Sequence, residues 1–474
     1  MRGKNRRWFH FAGPATALVV IVLCLKAMYG NYRSYDLHNK LIRPTQSYYL
    51  DELRLSPKDC IKDFEEIAGI VNDNYRALAD YKKIDLDKLH EEYRKKVAKV
   101  ENAQQYGLLL VRYFSALGNM HTCPYFSRYK NGLSLISRND SIWVSKNHES
   151  LGLKRKDLII AIDGVSTADY IRESMNFVYA STNDSRRKFA ALQTMYSYTG
   201  TSQQFTIQRG DSVFDVEVPF YKQNQRVKKL KEQVKSKDSL RTSSQKKNDS
   251  QPSMASLLKS IGVGYIEIPH FESGSVDNFR RQFDDASEYN YMIIDVRDNP
   301  GGRQRYVMDI ARYLIVKTTT IGKVTVESDT EKSYKGKIYV LMNGMSSSGA
   351  ELLVAMLKER PDVVVIGERS AGDCGSMSYN YRTSHGIDFK IATQAPFLLS
   401  DGRTFNEGTG IEPDITAKEK LPWEEGKTAL GVALELIKQE TSFTSRSNGS
   451  HSHFVHHLSV KQVDGSSGIS GIVL

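Results

Sequence analysis

The sequence predicts an α/β core preceded by an N-terminal helical domain and a small, mostly β domain. Three observations predict it. From Pro44 to Ala116, apolar residues recur at helical spacing, as Phe64, Ile67, Ile70 and Val71 do. From Gly132 to Tyr221, short strand-like pieces such as LIIAIDG, QQFTIQRG and VFDVEVPF are separated by turn residues. From Ile261 onward, near-continuous apolar runs (GVGYIEI, YMIIDVRDN, KIYVLMN, VVVIG) alternate with amphipathic segments. That is the pattern of a buried, partly parallel sheet covered by helices.

The elements follow in order. Residues 1–30 open with Arg2, Lys4, Arg6 and Arg7, and Phe9 to Leu25 is mostly apolar and closed by Lys26. This length fits either a signal peptide or a short membrane anchor. The basic residues ahead of it favour export of everything that follows. A buried first helix is the structural alternative. Cys24 suggests lipid attachment, but Leu23 stands where a small residue is expected. Residues 44–125 read as the helical region, with Ser56-Pro57 as a helix start. Residues 132–221 form the β domain. Residues 222–258 are rich in Lys, Gln and Ser and read as a charged, solvated linker. The α/β core covers 259–440, and the Ser-, His- and Gly-rich tail 441–474 is expected to be disordered. The tail histidines, His451, His453, His456 and His457, read as solvated side chains, and no metal site is assigned.

With 474 residues the chain exceeds one ordinary core. Its net charge of +11 is concentrated in Met1–Arg7 and Lys222–Lys247, with no aromatic and basic platform beside it. This argues against a nucleic-acid surface. The four cysteines, Cys24, Cys60, Cys123 and Cys374, are too few for a disulfide framework. Their simplest role is that of small apolar side chains. One bridge, Cys123 to Cys374, remains open in an exported chain.

Catalytic and ligand groups in parallel sheets gather beyond the carboxyl ends of the strands. Three strand ends here carry suggestive loops. IIDVRDNPGG ends in the pair Gly301-Gly302, whose backbone can approach a ligand and present N–H groups. LMNGMSSSGAELL places Ser346, Ser347 and Ser348 where a helix begins. A serine there commonly caps the helix, and that is the reading for Ser346 and Ser347. VVVIGERSAGDCG ends the third strand in another glycine-rich loop.

In order and spacing, these loops together with DGRTFNEGTGIEPDI resemble the tail-specific, C-terminal processing serine peptidases, from Gly264 to Ile415. The resemblance implies a ClpP/crotonase-like layered β/α core. LGLKRKDLIIAIDGVSTADYI is similar to the carboxylate-binding half of a PDZ domain, which implies substrate contacts at Leu151, Gly152 and Leu153. The family's nucleophile falls three residues before a glutamate at the helix start, which is Ser348 before Glu351. Its oxyanion hole maps to Gly349 and to Gly301 or Gly302, where backbone donors meet a helix N-terminus.

The commonest branch of the family takes its base from a lysine in the third loop. Here Asp373 stands in that place, and an aspartate near its reference pKa of about 4 is a weak base. A second branch, similar to the tricorn core protease, uses a histidine in a Gly-Asp-x-His-Thr-like turn. LGNMHTC supplies His121 there, with Asn119 in place of the aspartate and Thr122 as the adjacent hydroxyl. That branch also uses a glutamate, which maps to Glu407 in FNEGTGIEPD. A histidine near its reference pKa of about 6.5 suits a base at neutral pH. The expected function is therefore a serine endopeptidase of the cell envelope, with catalytic Ser348, His121 and Glu407. It needs no cofactor. Its partner is a polypeptide substrate, held in part through its C-terminus, and its N-terminal segment associates with the membrane. The rival readings are a catalytically inactive peptide-binding protein of the same fold and an envelope scaffold using only the PDZ-like part.

Overall fold

The computed structural model describes residues 47–200, 202–222, 253–374, 378–393, 407–424 and 426–447. The apolar N-terminal segment with Cys24, most of the charged linker and most of the tail with its histidines lie outside the described residues.

Three helices form where the apolar spacing predicts them: α1 (Pro57–Lys82), α2 (Leu86–Val97) and α3 (Ala103–Ala116). Ser56, Asp85 and Asn102 cap them, each accepting a backbone N–H three residues on. α1 stops at Lys83, which turns left-handed with φ 57°. Phe64, Ile67, Val71, Tyr75 and Leu78 of α1 pack against Tyr93, Tyr106, Leu110 and Phe114. A tight turn after α3 leads into a two-residue strand, β1 (Cys123–Pro124).

The small domain is an antiparallel sheet in chain order: β2 (Leu135–Arg138), β3 (Ser141–Val144), β4 (Leu158–Ile162), β5 (Ser202–Arg209) and β6 (Ser212–Pro219). Between β4 and β5 the chain forms α4 (Thr167–Ser174) and α5 (Asn183–Leu192). Alternation decides which face is buried: Phe205 and Ile207 of β5 point inward with Ile159, Ile162 and Ile171.

The core opens with a helix, α6 (Met254–Lys259), whose Leu258 is buried. Ordered structure thus begins inside the segment read as linker, because one apolar turn among polar residues suffices to dock it. The strands β7 (Gly264–Glu267), β8 (Tyr291–Asp295), β9 (Lys337–Met342) and β10 (Val363–Gly367) follow. Next comes an antiparallel hairpin of β11 (Ser378–Arg382) and β12 (Asp388–Ala392), then β13 (Ile415–Thr416). β7, β8, β9, β10 and β13 lie side by side in that order, all parallel. Successive residues serve opposite faces. Ile294, Val340 and Val365 meet α7 (Ser275–Ala286), α8 (Gln304–Ala311) and α9 (Gly349–Lys358) on one side. Ile293, Tyr339, Leu341 and Ile366 meet α6 and α10 (Ala429–Ser447) on the other. α10 runs past residue 440, so helix continues into the segment read as tail.

The hairpin is what gathers the site. Tyr381, Phe389 and Ile391 sit in the core of the helical region, and β12 pairs antiparallel with β1, Cys123 opposite Lys390. Residues 119–125 are thereby fixed against the strand ends of the α/β core.

Candidate active site

β9 ends at Met342 and α9 begins at Gly349. In the turn between them Ser348 takes φ 53° and ψ −113°, a conformation costly for a residue with a Cβ. Ser348 Oγ lies 3.0 Å from Nε2 of His121. Its backbone N–H donates to Glu351 Oε2 at 2.9 Å. Buried Glu351 also accepts from Ser370 Oγ and from the N–H groups of Gly372 and Asp373, tying the third loop to the start of α9. Burial pushes its carboxyl up to about 8, against the pull of those donors.

Ser346 and Ser347 do not cap α9, contrary to the sequence reading. Ser346 Oγ donates to Val296 O at 2.7 Å and accepts from Asn343 N, pinning the turn to the end of β8. Ser347 Oγ is buried without a partner among the described residues.

The glycine pair packs directly on the serine. A Cβ on Gly301 would stand 2.6 Å from Ser348 Cβ and 2.7 Å from Gly349 N, so only glycine fits. The Gly301 N–H is already engaged, donating to Asn299 Oδ1 at 2.7 Å. Gly302 and Gly349 have no acceptor for their N–H groups among the described residues. Of the two glycines, Gly302 is therefore the open donor.

His121 sits in a turn held from three directions. Asn119 Oδ1 accepts from His121 N (2.9 Å) and Thr122 Oγ1 (3.1 Å). Thr122 Oγ1 accepts from Ala392 N of β12 at 3.0 Å. Met120 N donates to Asp373 Oδ1 at 3.2 Å. Burial, with a smaller contribution from the Lys390 cation, pushes the imidazole down to about 3. The ring is therefore neutral at pH 7, and its value lies below the ordinary histidine one expected from the sequence, so its claim as the base rests on its contact with Ser348 and not on its pKa. With Nε2 accepting from the serine, its proton is on Nδ1, which has no partner among the described residues.

Glu407, expected as the third catalytic residue, makes no hydrogen bond to the His121 imidazole among the described residues. Its Oε1 accepts from Asn119 Nδ2 (3.0 Å), Ser181 Oγ (2.7 Å) and Lys82 Nζ (2.7 Å). All three partners fall on Oε1, and the buried Oε2 has no hydrogen-bond partner among the described residues. Lys82 and Ser181, distant in sequence and without a local signature, were missed by sequence reasoning; Asn119 was seen only as a departure. Asp373 is buried beside this group, and burial, then the Glu407 charge, pushes its carboxyl up to about 7.

Two further expectations are corrected. No disulfide joins Cys123 to Cys374. Cys123 lies on β1, whereas Cys374 packs into the core cluster of the α/β domain. At the PDZ-like loop, Leu151 N and Leu153 N donate to His148 O, and Gly152 N donates to Glu149 O. Leu153 is buried at 1% exposure. Their N–H groups are closed on the loop itself and not presented to a carboxylate.

Residues 262–417 match the model of peptidase family S41. Over those residues the α/β core is similar to that family. Residues 136–220 match the N-terminal domain described for Bacteroidetes S41 peptidases, and residues 57–115 match the tricorn protease C1 domain. The chain is similar to the carboxyl-terminal-processing protease of Synechocystis sp. (strain ATCC 27184 / PCC 6803 / Kazusa), at 26% identity over 58% of this chain and 57% of that protein. It is also similar to the carboxy-terminal processing protease CtpB of Bacillus subtilis (strain 168), at 28% identity over 33% of this chain and 34% of that protein. The chain thus spans between about a third and somewhat over half of these curated relatives. The fold resembles mature CPAF complexed with lactacystin, with a TM-score of 0.61 at 14% identity over 83% of this chain and 99% of that one.

Proposed function

We propose that this chain is a serine endopeptidase that cuts polypeptides by acyl transfer from Ser348. The observation that carries the reading is the 3.0 Å contact between Ser348 Oγ and a neutral His121 Nε2. In the reaction, Ser348 Oγ attacks the scissile carbonyl while His121 Nε2 takes its proton. The developing oxyanion meets the N–H groups of Gly349 and Gly302 at the start of α9, where the helix dipole adds to them. His121 then returns the proton to the leaving amine, and water repeats the sequence to free the enzyme. Glu407 supports the base from a distance. The names of the similar proteases suggest substrates cut near their carboxyl termini.

Capture of the polypeptide falls to the small domain, read as PDZ-like. What supports this is the sheet's edge strand, β6, unpaired on its outer side among the described residues, where Val213 is 59% exposed and an extended segment can add as a strand. Export and tethering through the apolar stretch of residues 9–25 complete the reading.

The unpaired Nδ1 of His121 favours a second reading, an inactive polypeptide-binding protein of the same fold. Casein cleavage by the wild type and by Ser348→Ala separates the two. Cleavage that vanishes in Ser348→Ala supports the enzyme; equal cleavage, or none in either protein, removes it.

A further inference from the structure

Asn119 is completely buried and stands at the centre of the site's hydrogen bonds. Its Oδ1 accepts from His121 N and Thr122 Oγ1, and its Nδ2 donates to Glu407 Oε1 at 3.0 Å. The two donors onto Oδ1 fix the amide's orientation, since a flipped amide would set donors against donors. Glu407 in turn is held by Lys82 at the end of α1 and by Ser181 ahead of α5. Three separate stretches of chain therefore meet at one carboxylate, and Asn119 carries that arrangement to the backbone of His121.

We propose that Asn119 is a positioning residue that couples Glu407 to the base, and that its amide, not a carboxylate, is what this site requires. An aspartate at 119 would keep the acceptor for His121 N but set a second carboxylate oxygen about 3 Å from Glu407, where like charges repel strongly in a buried site. Lys82 and Arg186 are the cations near enough to offset this, and both already face carboxyl groups: Lys82 pairs with Glu407, and Arg186 lies near Asp373. His121, Asp373, Tyr75 and Tyr81 are further titratable groups around the pair, with Glu351 beside Asp373 and the Lys390 cation near His121. Glu407 thus acts on His121 through the turn, without touching the ring. This inference rests on the peptidase reading.

The test uses the full chain and a peptide substrate at pH 8, with active sites counted by a fluorophosphonate. Asn119→Asp is expected to lower kcat about a hundredfold with KM nearly unchanged, the scale of a small displacement of a catalytic group. Its kcat should recover as pH falls and one carboxyl takes a proton. The double variant Asn119→Asp with Glu407→Gln removes the like-charge pair and restores the wild-type net charge of the site, and kcat should rise at least about tenfold over the single variant. A purely structural role would lower the melting temperature and the number of active sites but leave kcat per active site intact. Wild-type kcat in Asn119→Asp, or a double variant no better than the single one, overturns the inference while leaving the peptidase reading in place. An inert wild type overturns both.

Discussion

The ring of His121 and the hydroxyl of Ser348 meet at 3.0 Å across 227 residues of chain. No single element spans that separation. β12 pairs with β1 beside His121, and the turn after β9 aims Ser348 toward the same point. The site exists only when the helical region and the α/β core are assembled on each other.

Burial holds His121 neutral, with a pKa pushed down to about 3. A base whose pKa falls stays competent to lower pH. The acid limb of kcat/KM, which reports the free enzyme, is therefore expected well below the ordinary histidine value of about 6.5. A pH–rate profile checks this, and a limb centred near 6.5 would show that the ring is more solvated than its burial implies.

Gly301→Ala is expected to abolish turnover. The new methyl would meet Ser348 Cβ at 2.6 Å, and φ at this position is 92°. Strain and displacement of the serine act together, so kcat should fall by at least about a hundredfold. Fluorophosphonate labelling of the folded variant, followed over time, measures the loss at the serine itself.

Much of this was legible in the sequence, for reasons that differ by element. The helical region and the strand–helix alternation of the core follow from apolar periodicity, which burial enforces. Ser348 and His121 were legible through the order of short motifs at strand ends. The role of Glu407 was legible only in part: its position follows from a motif, but its donors Lys82, Ser181 and Asn119 come together through tertiary packing. Ser346 and Ser347 misled, because a serine before a helix satisfies the capping pattern whether or not its hydroxyl turns back to the helix. Ser346 instead finds the carbonyl of Val296. The helical turn Met254–Lys259 was hidden by the polar residues ahead of it.

Lys82→Met leaves the Glu407 carboxylate without its cation. The pair is enclosed, with side chains 10% and 0% exposed. Removing one partner of such a pair costs about 3 kcal/mol or more, because the other charge stays buried. Urea unfolding is expected to show a loss of that order, with activity falling as well. A variant as stable as the wild type would mean that water reaches Glu407 freely.

Asp373→Asn keeps an acceptor for Met120 N and removes a carboxyl that burial and Glu407 push up to about 7 from the ordinary value of about 4. A raised carboxyl pKa means that the folded state holds the proton more tightly than the unfolded one. The stability from that proton is complete below about pH 4 and is lost as pH rises through about 7. The variant lacks this loss, so its melting temperature relative to the wild type should rise between pH 4 and pH 7. A difference that stays constant across that window would place the titration elsewhere.

The most direct measurement is mass spectrometry of the full chain after reaction with a fluorophosphonate. The wild type should carry one adduct, located on the peptide containing Ser348, and His121→Ala should react far more slowly. An unmodified wild type, or an adduct that persists in Ser348→Ala, would contradict the assignment of Ser348 as nucleophile and His121 as its base.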